Sequence, residues 1–366
     1  MSRKAVFEVA TLADAVAKAY RIAPNKGAAF DRAAGIVLEV HPGMEDQVII
    51  KATDLDVTFR QVVSVLEVGD EPVVWRVSAN LFNGIMGTLP FGVGSQVRLA
   101  DNGDGNLYFM CGKTKAKLRV IVTEYPLVTK FDPAPLAPVP GFARRLAQVA
   151  WATDARQSGI LAGVHMDGEY LYGCNRSVLA MVPCLVPVDK PVTAPLADIS
   201  ALIKNTAEVA LRADDNHMQI MPDPYTQATC VLFGGEYPNL KSLIKDNQTG
   251  TLNVKAADLT AALDRMLVLV KSERHPATTI KIGDGALNLE MEVPDVGKIA
   301  DEIEIQGGEA SPKEPFVISF SPDSLKSALA ASGREYVTIK YGPASLSPIL
   351  VTDDNDFVSL LMPMRK

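Results

Sequence analysis

Cysteine is scarce in this chain, with 4 in 366 residues. Cys111, Cys174, Cys184 and Cys230 form no CxxC pair and lie near no histidine at metal-ligand spacing. A zinc site or a disulfide framework therefore has no support, and the thiols read as reduced ones in a cytoplasmic protein. No run approaches the ~18 uncharged apolar residues of a membrane helix. The opening MSRKAVFEVATLADAV reaches Glu8 before any apolar run develops, unlike a signal peptide. The expectation is a soluble protein with no membrane association.

Catalytic signatures are missing as well. Gly112-Lys113-Thr114 lacks the glycine five positions earlier that a phosphate loop needs, since that place holds Leu107. FGVGSQV at 91–97 lacks the third glycine of a dinucleotide fingerprint. DNGDGN at 101–106 has the composition of a calcium loop without its spacing, and reads as a hairpin tip. The four histidines, His41, His165, His217 and His275, stand far apart with no GxSxG or HExxH context. No catalytic residue, metal or cofactor is expected, and the chain is not expected to be an enzyme.

What is present is a long-period repeat. Hydrophobic residues make up 48% of the chain and charged residues 22%, ordinary values for a folded protein, and the length suits two to four domains. Apolar residues at helical spacing occur in six places, in pairs. The segments are 11–23 (Leu12, Val16, Tyr20) and 80–89 (Leu81, Ile85, Leu89), then 141–152 (Phe142, Leu146, Val149) and 195–206 (Leu196, Ile199, Leu202, Ile203), then 255–272 (Leu259, Leu263, Met266, Val270) and 322–332 (Leu325, Leu329). Ser321-Pro322-Asp323 supplies a capping hydroxyl, a first-turn proline and an acid for the start of the last one. The intervening sequence reads as short strands, with Asp167-Gly168 and Asp284-Gly285 at tight turns. Tyr125-Pro126, Tyr237-Pro238 and Met362-Pro363 each close a strand run. The expectation is an α+β chain of three repeated β-rich domains with two helices each, over 1–126, 127–246 and 247–366.

Charge adds to this. The chain carries 36 basic and 43 acidic residues, net −7, which disfavours tight phosphate binding by contact alone. The six helical segments nevertheless hold nine bases and five acids. Lys18 and Arg21 oppose Leu12 and Val16 on the helical wheel, and Arg144 and Arg145 are expected to oppose Phe142 and Leu146. If the helices face one way, they present a mildly positive surface on an acidic body.

With these features the chain resembles the bacterial-type sliding clamp, the beta subunit of DNA polymerase III. The resemblance covers essentially the whole length and rests on the three repeats and on QSGILAGVHMDGEYLYGCNRSVLAMV (157–182), GGEYPNLKSLIKDN (234–247) and SLLMPMRK (359–366). It implies the DNA-clamp fold, half of a six-domain ring closed head to tail by two subunits around duplex DNA. The partners it implies are a replicative DNA polymerase, a clamp loader and other proteins bearing a clamp-binding motif. Topological linkage, in place of tight phosphate contact, lets an acidic protein serve DNA.

The resemblance also implies a hydrophobic peptide-binding pocket formed by Leu161, Cys174, Arg176, Ser177, Val178, Leu179, Pro238, Ser242, Leu243, Leu360, Leu361, Met362, Pro363, Met364 and Arg365. The family's TDGHRL stands here as CNRSVL (174–179), a departure that alters the pocket. DNA contacts would come from Lys18, Arg21, Lys26, Arg144, Arg145, Arg156, Lys204, Lys255, Arg265 and Lys326. The subunit interface would pair Lys115, Lys117, Leu118 and Val120 with Val268 and Leu269. Two other readings compete: a β-rich hydrolase or transferase without a recognisable motif, and a monomeric clamp-fold interaction protein.

Overall fold

The computed structural model describes residues 3–24, 33–43, 47–90, 92, 94–126, 136–154, 159–244, 248–269, 277–283, 285–307, 316–353 and 356–364. One order of elements recurs three times along it, with one additional two-residue strand, Glu67–Val68, in the first repeat. The first repeat runs β1 (Arg3–Glu8), α1 (Val9–Ile22), β2 (Ile36–Val40), β3 (Gln47–Thr53), β4 (Val57–Ser64), β5 (Glu67–Val68), β6 (Val73–Val77), α2 (Ala79–Met86), β7 (Gln96–Asp101), β8 (Asn106–Cys111) and β9 (Thr114–Arg119). The second runs β10 (Ala137–Pro140), α3 (Phe142–Ala150), β11 (Val164–Met166), β12 (Tyr170–Cys174), β13 (Val178–Pro183), β14 (Val192–Ala194), α4 (Ala197–Ser200), β15 (Glu208–Ala213), β16 (His217–Asp223) and β17 (Thr226–Val231). The third runs β18 (Gly250–Lys255), α5 (Ala256–Leu267), β19 (Thr278–Gly283), β20 (Ala286–Val293), β21 (Gly297–Glu304), β22 (Phe316–Phe320), α6 (Pro322–Ser332), β23 (Tyr336–Tyr341), β24 (Ile349–Thr352) and β25 (Val358–Leu361). No helix among the described residues is long and apolar enough to cross a membrane.

The chain gathers into two compact units that cut across the repeats. The first, Met1–Gly141 with Ala201–Leu232, holds two antiparallel sheets, β5-β1-β7-β8-β9 and β10-β15-β16-β17-β4-β3-β2-β6. In β8, Leu107, Phe109 and Cys111 point inward while their neighbours are half-exposed, the alternation of a strand with one face buried. Helix α1 lays Leu12, Ala15, Val16, Ala19 and Ile22 against the core, a stripe of period 3.6.

The second unit, Phe142–Ser200 with Phe233–Lys366, holds the sheets β14-β11-β12-β13-β25-β24-β23-β18 and β21-β20-β19-β22. Asp167 Oδ1 accepts from the N–H groups of Glu169 and Tyr170, and Gly168 adopts φ +92°, which makes the expected tight turn between β11 and β12.

The helices differ from the sequence expectation in three ways. In α2 the inward residues are Ala79, Phe82 and Met86, whereas Leu81 is 60% exposed. Ser78 caps the helix by accepting from Leu81 N–H, and Ile85 is half-buried at the edge of the inward face. The segment expected as a helix over 195–206 is a single turn, α4, followed by hydrogen-bonded turns. Its apolar residues Leu196, Ile199 and Ile203 are still buried. Arg145 is half-buried instead of opposing Phe142 and Leu146, because it precedes Leu146 directly and sits three residues after Phe142, at the edge of the buried stripe.

The start expected for the last helix is found as read. Ser321 Oγ accepts from Ser324 N–H, Pro322 is the first helical residue, Asp323 lies in the first turn, and Gly333 closes the helix at φ +63°. Replacing Ser321 by alanine removes that acceptor and is expected to cost about 1 kcal/mol of stability, measurable by urea denaturation.

Candidate functional site

Within the second unit, one transverse row of side chains crosses four adjacent strands. Cys174 on β12 pairs with Leu179 on β13, Leu179 with Leu360 on β25, and Leu360 with Leu350 on β24. Cross-strand partners share a face of the sheet, so the four form a continuous apolar strip, joined by Tyr172 two residues before Cys174. Leu240 is buried against this strip, with Leu161, Tyr237 and Ile244 packed at its margins. Leu240 and Tyr237 come from the segment after β17, where Ser242 Oγ donates to Asn239 O at 2.7 Å. Leu161 comes from a 3-10 turn at Ile160–Ala162.

The β12–β13 turn bounds the strip. Asn175 Oδ1 accepts from Ser177 N–H at 2.8 Å and Val178 N–H at 3.0 Å, which leaves Arg176 at the exposed tip. The C-terminal segment is tied in by backbone bonds, Met362 N–H to Ser177 O at 2.8 Å and Met364 N–H to Ser319 O at 2.7 Å. Leu243 and Met362 stand exposed, 51% and 46%, and Pro238 and Ser242 are exposed on the covering segment.

Most of the expected pocket residues thus gather in one place, with a correction. Val178 and Leu361 are buried, but each neighbours a strip residue on its strand and so projects from the opposite face of the sheet. Pro363 and Met364 are half-buried, and Arg365 lies outside the described residues. Tyr172, Tyr237, Leu240 and Leu350 were missed by the sequence reading. The alternation of β12 and the strand pairing β24–β25 are the signals that place Tyr172 and Leu350.

Beside the strip a cavity of about 150 Å³ is lined by His165, Asp167, Tyr172, Tyr237, Pro238, Asn239, Leu240 and Lys241. Burial would raise the Asp167 pKa. The hydroxyl of Tyr172 at 2.6 Å, two backbone N–H groups and Lys241 at 3.2 Å outweigh it and hold the carboxyl down to about 2. Lys241 Nζ also sits 4.5 Å over the Tyr170 ring. Burial pushes the Cys174 thiol up to about 11, and it lowers the His165 pKa.

The expected DNA contacts divide by their surroundings. In the first unit Arg21 and Lys204 are exposed with no carboxylate partner among the described residues, while Lys18 pairs with Asp14 at 2.6 Å. In the second, Arg144 is exposed, Arg145 reaches the Cys184 thiol, Lys255 lies 4.0 Å from Glu335, and Lys326 pairs with Asp264. Arg265 grips Asp301 through Nε and Nη2, both at 2.6 Å, so it braces β21. Lys26 and Arg156 lie outside the described residues.

β9 in the first unit and β21 in the second each stand at the edge of a sheet, as do β5, β6, β10, β14, β18 and β22. On β9, Lys115, Lys117 and Arg119 are exposed while Leu118 is buried, and Val120 follows half-buried. On β21, Lys298, Glu302 and Glu304 are exposed. Leu269 packs near Gly297 at the start of β21, and Val268, 65% exposed, adjoins it.

These features are those of a DNA-clamp fold. The chain superposes on the DNA polymerase III beta subunit of Thermotoga maritima with a TM-score of 0.81, at 19% identity and 99% coverage of each chain. It superposes on the DNA polymerase sliding clamp of Bacillus subtilis at 0.79, with 19% identity and 100% coverage of each. A Pseudomonas aeruginosa clamp bound to griselimycin gives 0.79 at 17% identity, again with 100% coverage of each. By sequence, a beta sliding clamp of Streptococcus pneumoniae is 29% identical over 138 residues, 37% of this chain and 35% of that protein. The sequence match thus spans about a third of that relative's length. Residues 241–365 match the family described as DNA polymerase III beta subunit, C-terminal domain, and the chain as a whole has the fold of the beta subunits it superposes on.

Asp167 supplies a test of the cavity's charge network. A carboxyl with a depressed folded pKa stabilises above its unfolded pKa near 4, and that contribution is lost as pH falls toward 2. After allowance for solvent screening, Asp167→Asn is expected to lose about 1 kcal/mol at pH 7. The difference from the parent protein should shrink as pH falls from 4 through the folded pKa of about 2, in a series of thermal melts.

Proposed function

We propose that the chain is a sliding clamp, a replication processivity factor. Two copies close head to tail into a ring around duplex DNA and tether a replicative polymerase, a clamp loader and other motif-bearing proteins through the apolar strip. One observation carries this reading. The last strand of the second repeat, β17, pairs antiparallel with β4 of the first, and the last strand of the third, β25, pairs antiparallel with β13 of the second. By the same rule β9, last in the first repeat, would pair with β21, the counterpart in the third repeat of β4 and β13, and both β9 and β21 stand at the edge of a sheet. Two repeat junctions are made within the chain and the third awaits a second copy.

The charges suit that junction. Lys115, Lys117 and Arg119 on one edge would face Glu302 and Glu304 on the other, whereas pairing β9 with a second β9 would set lysine against lysine. Val268 and Leu269 beside β21 would add apolar contact to Leu118 and Val120. A contact between unlike surfaces that repeats after a half-turn closes a two-subunit ring. Duplex DNA would be held by topology, with Arg21, Arg144 and Lys204 as the exposed cations and Lys26 and Arg156 as further contacts. The three-domain division at 126 and 246 fits this plan, since both positions fall between the end of one repeat's last strand and the start of the next repeat's first. No catalytic role is proposed for any residue.

Light scattering should give twice 39.3 kDa, and the loaded protein should stay on circular plasmid and be lost on linearisation. A monomer, or retention indifferent to linearisation, would overturn the reading. Lys115→Glu with Lys117→Glu is expected to weaken the dimer by at least about tenfold. Adding Glu302→Lys with Glu304→Lys should recover association, as followed by sedimentation.

A further inference from the structure

The hydroxyl of Tyr237 is buried and has no hydrogen-bond partner among the described residues. It belongs to a ring whose position is fixed twice over. The ring stacks on His165 at 4.3 Å with an interplanar angle of 1°, and His165 Nδ1 is in turn 2.9 Å from Thr193 Oγ1. Tyr237 also packs against the apolar cluster of Cys174, Leu179, Leu240, Leu350 and Leu360. The ring thus stands beside Cys174, whose buried thiol keeps its proton. Burial raises its pKa, and the phenol keeps its proton and remains a donor.

A buried donor without an acceptor is costly, and a phenylalanine would fill the same space without that cost. The about 150 Å³ cavity that Tyr237 shares with His165 and Pro238 has room for a group well beyond one water molecule. We infer that Tyr237 is a specificity residue of the peptide pocket, donating a hydrogen bond to an oxygen of the docked peptide that apolar anchoring alone does not select. The inference rests on the peptide-docking reading given above. The shape of the strip would then select the apolar anchors, and Tyr237 would select where a carbonyl or carboxyl oxygen falls between them.

The test uses fluorescein-labelled synthetic pentapeptides carrying leucine and phenylalanine anchors, screened by fluorescence polarisation against the full-length protein. The tightest binder is then measured on Tyr237→Phe and on Leu243→Ala, a change at an exposed residue of the strip's margin, with thermal melts of all three proteins. Tyr237→Phe is expected to bind about three- to tenfold more weakly while its melting temperature holds or rises. Among peptide analogues lacking one oxygen each, one should bind the parent protein and Tyr237→Phe equally. Unchanged affinity of Tyr237→Phe, with Leu243→Ala weakened, would overturn the inference alone and assign the hydroxyl to a trapped water. Absence of binding to the parent protein, or indifference to Leu243→Ala, would overturn the docking reading and this inference with it.

Discussion

The pairing of β13 with β25 is the constraint on which the strip depends. These strands lie about 180 residues apart in sequence, and their register sets Leu179 opposite Leu360 and Val178 opposite Leu361. A slip of one residue would move Leu360 to the other face and break the row from Cys174 to Leu350. The backbone bond from Met362 N–H to Ser177 O continues the pairing past the end of the strand and holds the register at the margin where a ligand would enter. The row of side chains is packed and buried at its centre, with Leu243 and Met362 exposed near its rim.

The same economy governs the charged side chains. Asp167 anchors a turn with one oxygen and receives Tyr172 and Lys241 with the other, so one carboxylate fixes both the hairpin β11–β12 and the segment that covers the strip. Arg265 does the corresponding work for β21 by gripping Asp301. Pairing of this kind also reduces the positive charge on the helices. With Lys18, Lys255, Arg265 and Lys326 beside carboxylates, the helical surfaces keep a weaker field than a count of bases suggests.

Much of this was legible in the sequence, and the exceptions have physical causes. The three repeats, the strand-rich character and the cap at Ser321 follow from local patterns that the fold does not override. In α2, Leu81 and Ile85 fit a helical period, but Phe82 and Met86 fit one as well, and it is their stripe that the core buries, leaving Leu81 exposed. The helix at 195–206 shrank to one turn because burying Leu196, Ile199 and Ile203 needs proximity to the core more than helical geometry. For the strip, the resemblance listed both Leu179 and Leu360, which the strand pairing sets opposite each other. It also included Val178 and Leu361, since a list of positions carries no information about which way a strand's side chains alternate. Tyr237 and Leu350 became visible only with the strand pairing and the covering segment in place.

The repeat junctions are not equivalent in one respect that chemistry alone does not reveal. Where β17 meets β4, and where β25 meets β13, the two strands belong to one polypeptide, so each stays at a fixed effective concentration whatever the amount of protein present. A junction between β9 and β21 of separate copies has no such tether, and its occupancy would follow dilution. In an assembly closed that way, dilution would part the copies at the contact without a covalent backup and leave the other junctions undisturbed.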